Sequence, residues 1–269
     1  MPPSAGSRSA GPPADRVPVA RAEAGLAVRR ATELLAAFTP ERPAMSLTQL
    51  AQRTGLPLTT AHRLLGVLVD CGLLERDENG TFHVGLRLWE IASLAPRGLG
   101  LREVALPFLE DLYAVTHENV QLAVRDGLES VFVERIAGRA AVPVLTRVGG
   151  RFPLHPTGIG RVLLAHAPAD VQEKVLAGPL PAFTPLTVTD PAAIRRILGD
   201  VKAHGYAIND RQVTMDSLSV AAPVHGPGGD VVAAVSIVVL AGTALPAALA
   251  PMVRAAARGI SRSLGADRP

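Results

Sequence analysis

The stretch from Met45 to Leu86, MSLTQLAQRTGLPLTTAHRLLGVLVDCGLLERDENGTFHVGL, constrains the fold more than any other part of the chain. Leu47, Leu50 and Ala51 recur at helical spacing, and Ser46 or Thr48 stands where a helix N-cap is wanted. Gly55 suits a left-handed helix end, and Pro57 prevents the first helix from continuing. A second helix places Ala61, Leu64, Leu65 and Leu68 on one face and Thr59, Thr60, His62 and Arg63 on the other. Gly72 ends it. Leu73 to Arg76 and Thr81 to Val84 then read as two short strands joined at Glu78-Asn79-Gly80. Helix, turn, helix and hairpin in this order make a winged helix-turn-helix. Cys71, at the end of the second helix, reads as a small core residue.

Such a unit fits the major groove of double-stranded DNA. The exposed side chains at the start of its second helix reach base edges, while the first helix crosses the backbone. Thr59, Thr60, His62 and Arg63 are therefore candidate DNA contacts, joined by Thr48 and Gln49 on the first helix and Arg76 on the wing. Arginine pairs bidentately with guanine, and threonine bonds a phosphate or meets a thymine methyl. Winged helices also bind proteins, so a protein-contact role for the same face stays open. Charge does not decide between them: from Met1 to Ala95 ten arginines stand against nine carboxylates.

At 269 residues the chain is long enough for two domains. Its basic residues are 25 Arg and 2 Lys, with a net charge of +3. One cysteine excludes an internal disulfide framework, and no Cys/His ligand cluster is present, which together favour a cytoplasmic protein without a metal or other cofactor. Met1 to Ala24, rich in Pro, Ala, Ser and Arg, lacks the apolar core of a signal peptide and reads as a disordered tail. The uncharged run Val231 to Val253 has the length of a membrane span, but Gly242-Thr243, Pro246 and Pro251 divide it into a buried strand and the start of a helix. No membrane association is expected.

Gly25 to Phe38 supplies a helix ahead of the winged unit, and Leu86 to Ala95 another after it. Pro96-Arg97-Gly98 then breaks the chain. The expected division is thus a tail at 1–24, a DNA-binding domain at 25–86, a linker helix at 87–97 and a second domain at 98–269. In the second domain Leu101 to Val115 reads as a helix, Val120 to Val124 and Ser130 to Ile136 as a hairpin around Asp126-Gly127, and Val142 to Arg147 as a further strand. Helices follow at Gly158 to Ala165, Ala169 to Leu176 and Asp190 to His204, before a closing hairpin of Val220 to Val224 and Val231 to Leu240. Hairpin pairing points to an antiparallel sheet with helices packed on it, an α+β architecture.

HPTGIGRVLLA, His155 to Ala165, is the candidate chemical site of this domain. Thr157 caps a helix whose first turn is Gly158-Ile159-Gly160, where bare backbone N–H groups and the helix dipole favour a small anion. Close helix-to-sheet packing explains the glycines equally well. His155, Asp210, Ser219 and Ser236 make no recognisable catalytic set, because no fixed motif frames either serine; no enzymatic activity is expected.

Three blocks together resemble the IclR-type bacterial transcriptional regulators: TQLAQRTGLPLTTAHRLLGVLVDCGLLERDENGTFHVG, RFPLHPTGIGRVLLA and GYAINDRQVTMDSLSVAAPVHGPGGDVVAAVSI. The resemblance runs from Gly25 to nearly the end. It implies a winged helix-turn-helix, a linker helix and a GAF-like effector domain, acting as a homodimer or dimer of dimers on palindromic promoter DNA. It implies a small organic or aromatic acid as effector, and repression as the family's usual mode. Carried over by position, the effector residues are Gly158, Ile159, Asn209, Asp210, Ser217, Ser219 and Ser236. Ser219 stands where the family often has a cysteine. Leu58 replaces the family's common basic residue, and His62 its common aromatic. The competing reading is a small-molecule-binding or enzymatic domain whose winged helix serves protein contacts.

Overall fold

The computed structural model of the chain describes residues 17–266 and divides between Leu94 and Ala95 into two compact units. The first unit opens with α1, Val17–Ala36. This helix begins eight residues before the expected Gly25, so residues 17–24 belong to it, while Met1 to Arg16 lie outside the described residues. Ala, Arg and Glu are strong helix formers, and Pro18 falls in the first turn, where no intrahelical donor is lost.

β1 (Ala44–Met45) leads into α2 (Leu47–Thr54), α3 (Leu58–Asp70), β2 (Leu74–Arg76), β3 (Phe82–Val84) and α4 (Leu86–Ala92). α2 starts on a full capping box: Gln49 N–H donates to Ser46 Oγ, and Ser46 N–H donates back to Gln49 Oε1. Gly55 ends it at φ 68°, and Gly72 follows α3 at φ 72°. The expected wing forms and gains β1, a two-residue strand not read from the sequence, in the order β1-β3-β2. Leu34, Met45, Leu50, Leu65, Leu74 and Phe82 close the core. Truncating one such leucine to alanine costs about 2–5 kcal/mol. One expectation fails here: Cys71 is exposed, because α3 turns its core face away at its last turn. In the stretch expected as a linker helix, 87–97, the helix α4 covers Leu86–Ala92 and a π-helical turn follows at Pro96–Gly100.

The second unit is an antiparallel six-stranded sheet with helices on both faces. Its elements are α5 (Leu101–Thr116), β4 (Asn119–Asp126), β5 (Glu129–Ile136), β6 (Arg151–Pro153), α6 (Gly158–Ala165), α7 (Ala169–Ala177), α8 (Pro191–His204), β7 (Ala207–Asp210), β8 (Ser217–His225), β9 (Val231–Leu240) and α9 (Pro246–Ser263). The strand order is β6-β5-β4-β9-β8-β7. Strand alternation sorts the residues between two cores. Val120 and Leu122 of β4, Val220 and Ala222 of β8 and Val235 and Ile237 of β9 pack with α5 and α9. Ala123, Ala221 and Ala234 face α6 and α8. The strands place Asn119, Gln121, Ser217, Ser219 and Ser236 out of phase with the first, wholly apolar set.

Val142 to Arg147, expected as a strand, is an irregular segment. Side-chain hydrogen bonds hold it instead of a ladder: Asn119 Nδ2 donates to Val142 O at 2.8 Å and Gln121 Nε2 to Thr146 Oγ1 at 2.7 Å. No helix among the described residues is long and apolar enough to cross a membrane.

Candidate functional site

Two helix N-termini organise the candidate sites, one in each unit. α3 begins after Pro57, which offers no side-chain cap, so its first N–H groups have no capping acceptor. Thr59, His62 and Arg63 are exposed beside that end and Thr60 is half-buried. None of these side chains forms a hydrogen bond or ion pair among the described residues. Thr48 is exposed on α2. Gln49 is exposed too, with its Oε1 already accepting the Ser46 N–H of the capping box. On the wing the Arg76 guanidinium lies 5.4 Å from the centroid of the Phe82 ring. Asp77 Oδ1 accepts the Thr81 and Asn79 N–H groups at 2.8 and 3.0 Å, and Oδ2 lies 3.2 Å from His83 Nε2. The Thr81 bond, with His83 next, holds the Asp77 carboxyl below the usual carboxylate range.

In the second unit a cavity with about 430 Å³ of empty space, its open mouth included, lies at the start of α6. Thr157 Oγ1 caps α6 by accepting the Gly160 N–H at 2.8 Å. That leaves the N–H groups of Gly158 and Ile159 without an intrahelical acceptor. A Cβ at Gly158 would lie 2.9 Å from Ser219 Oγ, so the Ser219 hydroxyl would have to shift to admit one. At Gly160 it would lie 2.2 Å from Leu154 O, so close packing explains that glycine.

Of the residues expected here, Gly158, Ile159, Asn209, Ser217, Ser219 and Ser236 all line the cavity. Cross-strand register gathers them, with Asn209 opposite Ser219 and Gln121 opposite Ser236. Asp210 does not join them. It is one residue out of phase on β7, faces outward, and binds Arg211, whose guanidinium holds its carboxyl below the usual range. His155 is buried, with Nε2 3.0 Å from Pro181 O, and burial lowers its pKa. No catalytic set of His155, Asp210 and a serine is assembled.

The lining adds residues that were not foreseen, among them Gln121, Phe132, Val144, Thr146, Val213 and Thr214. Every lining residue is uncharged. One polar atom has no partner: Asn209 Oδ1 is the buried side-chain acceptor left unsatisfied among the described residues, on a residue only 4% exposed. The period of β7 is the sequence signal that separates Asn209 from Asp210. Phe132 and Thr146 leave no comparable signal, because only the path of the chain brings them there.

The comparisons with known proteins agree with this geometry. Residues 27–78 match the IclR helix-turn-helix domain, and residues 95–262 match the bacterial transcriptional regulator IclR C-terminal domain. The HTH-type transcriptional regulator XynR of Escherichia coli is 30% identical over 88% of this chain and 96% of its own. The HTH-type transcriptional repressor AllR of Klebsiella pneumoniae is 30% identical over 96% of both chains. A crystal structure of an IclR homolog from Microbacterium hydrocarbonoxydans, complexed with 4-hydroxybenzoate, is 38% identical, covers 88% of this chain and 98% of its own, and superposes with a TM-score of 0.84. These relatives are named as regulators and a repressor, not as enzymes. With both of its units matched in order, the chain belongs to the IclR family of DNA-binding transcriptional regulators.

Proposed function

We propose that this regulator is a metabolite-responsive repressor that binds a palindromic promoter site as a homodimer or dimer of dimers in the cytoplasm. Residues 25–86 supply the DNA-binding part, 87–97 the linker and 98–269 the effector-binding part. Thr59, Thr60, His62 and Arg63 read the major groove, with Thr48, Gln49 and Arg76 placed for backbone contacts. The effector is a small organic acid, aromatic in the simplest case. Its carboxylate accepts the Gly158 and Ile159 N–H groups, and a hydroxyl or amino group elsewhere on it donates to Asn209 Oδ1. Ser217, Ser219 and Ser236 complete its polar contacts.

The observation that supports this reading is the uncharged cavity itself, with free helix N–H groups and an orphaned buried acceptor on one lining. With no cation in the lining, the pocket suits a single acid group better than two. Binding alters DNA affinity only if the effector prefers one arrangement of the oligomer over another.

Selection of genomic fragments by the purified protein, over a salt series and with or without 4-hydroxybenzoate and related monoacids, tests both halves. Enrichment of one palindrome, steeply weakened by salt and shifted by an acid, is the expected result. Absence of any enriched fragment at low salt favours the protein-contact reading of the winged helix. An enriched palindrome that no monoacid shifts removes the effector class.

A further inference from the structure

Arg161, on α6, is only 1% exposed and is the largest fully buried side chain described. Its Nε donates to His155 O at 3.0 Å, its Nη1 to Ile208 O at 3.2 Å, and its Nη2 to Gln212 Oε1. All of these acceptors are neutral. No carboxylate pairs with the guanidinium among the described residues, and the acid on the adjoining strand, Asp210, is turned outward onto Arg211. Burial lowers the Arg161 pKa to about 10, which leaves it charged at neutral pH. Burial lowers the pKa of His155 beside it as well. A buried cation without a counter-ion is a costly feature for a strut, since a neutral amide can bridge carbonyls without that penalty.

The placement explains the charge. Ile208 and Gln212 are the chain neighbours of Asn209 and Val213, both of which line the cavity. The guanidinium therefore stands directly behind the wall made by β7 and the loop that follows, beside the first turn of α6. We infer that Arg161 is the fixed counter-charge of the cavity, a positioning residue that attracts the effector's acid group through the protein wall without touching it. This rests on the reading of the α6 N-terminus as the acid site and adds the source of its field. A fixed charge in a poorly screened interior acts strongly enough to alter a neighbouring titration or affinity several-fold.

The test needs no knowledge of the natural effector. Ser219→Cys, in a Cys71→Ser background, places a thiol at the first turn of α6, and its thiolate absorbance reports the local potential. With Arg161→Gln the thiol pKa should rise by about one pH unit, and with Arg161→Lys by much less. Gln212→Glu is a second variant that keeps every hydrogen bond and neutralises the guanidinium. It should raise the thiol pKa similarly and keep the inference testable if Arg161→Gln does not fold. In the protein with Ser219 intact, Gln212→Glu should cut the preference for 4-hydroxybenzoate over 4-hydroxybenzamide about tenfold, whereas a purely structural role would weaken both ligands alike. An unchanged thiol pKa with a retained preference overturns the counter-charge and leaves the acid site standing. Equal affinities for the acid and the amide in the unaltered protein overturn the acid site itself.

Discussion

α3 and α6 both begin with unsatisfied backbone N–H groups, yet they present them to different worlds. α3 has no side-chain cap, starts beside exposed Thr59, His62 and Arg63, and opens to solvent. α6 is capped by Thr157, buried along its whole length, and opens to a cavity. The same terminal dipole therefore suits a large polyanion in one unit and a single small acid in the other. Exposure, more than helix chemistry, separates them. In water the field at α3 is screened and needs several arginines and repeated copies to add up. On the proposal above, one dipole and one buried guanidinium serve the second unit, where screening is weak.

The sharpest way to break this comparison is to fill one terminus and spare the other. Gly158→Leu should lower effector affinity at least about a hundredfold, roughly 3 kcal/mol, because even its Cβ meets Ser219 Oγ at 2.9 Å. Operator affinity of the folded variant should stay unchanged; calorimetry and a DNA titration read the two separately, and a retained response would empty the pocket of its assigned role. Arg63→Ala is the mirror experiment. It should weaken specific operator binding by roughly 1–3 kcal/mol and leave effector affinity alone. Equal binding by wild type and variant in the same titration would take Arg63 off the interface.

Smaller effects sharpen the contrast. Thr157→Ala removes the acceptor of the Gly160 N–H and should lower the stability of the second unit by about 1 kcal/mol in urea unfolding. Acid should act on that unit through His155 and His166, whose pKa values burial lowers from 6.5. A histidine depressed in the folded state takes up its proton more readily when unfolded. The stability present above pH 6.5 therefore declines as pH falls below that value and levels off once both states are protonated. Urea midpoints measured across that range check the sign, and a midpoint that rises on acidification would contradict it.

Legibility followed the range of the forces involved. The Ser46 cap, the left-handed Gly55 and the helix start at Asp190 act within a few residues, so local spacing displays them, whereas the returning Gln49 bond of the capping box emerged only with the structure. Asn209 and Asp210 are adjacent in sequence, and strand alternation alone sends one inward and the other out. The segment 142–147 has the composition of a strand but loses ladder pairing to the amides of Asn119 and Gln121, more than twenty residues away. Arg161 looks like an ordinary surface residue of an amphipathic helix until α6 is packed on the sheet.

By itself the sequence determined most of the helices and the winged helix-turn-helix, since periodicity, caps and turn residues are short-range and repeat along the chain, and the likeness of three blocks to known regulators carried the family. The tertiary structure decided which polar residues share one cavity, that no charge lines it, and that a lone arginine stands behind its wall. Those properties depend on strands far apart in sequence meeting in register, and on burial, which no local pattern encodes.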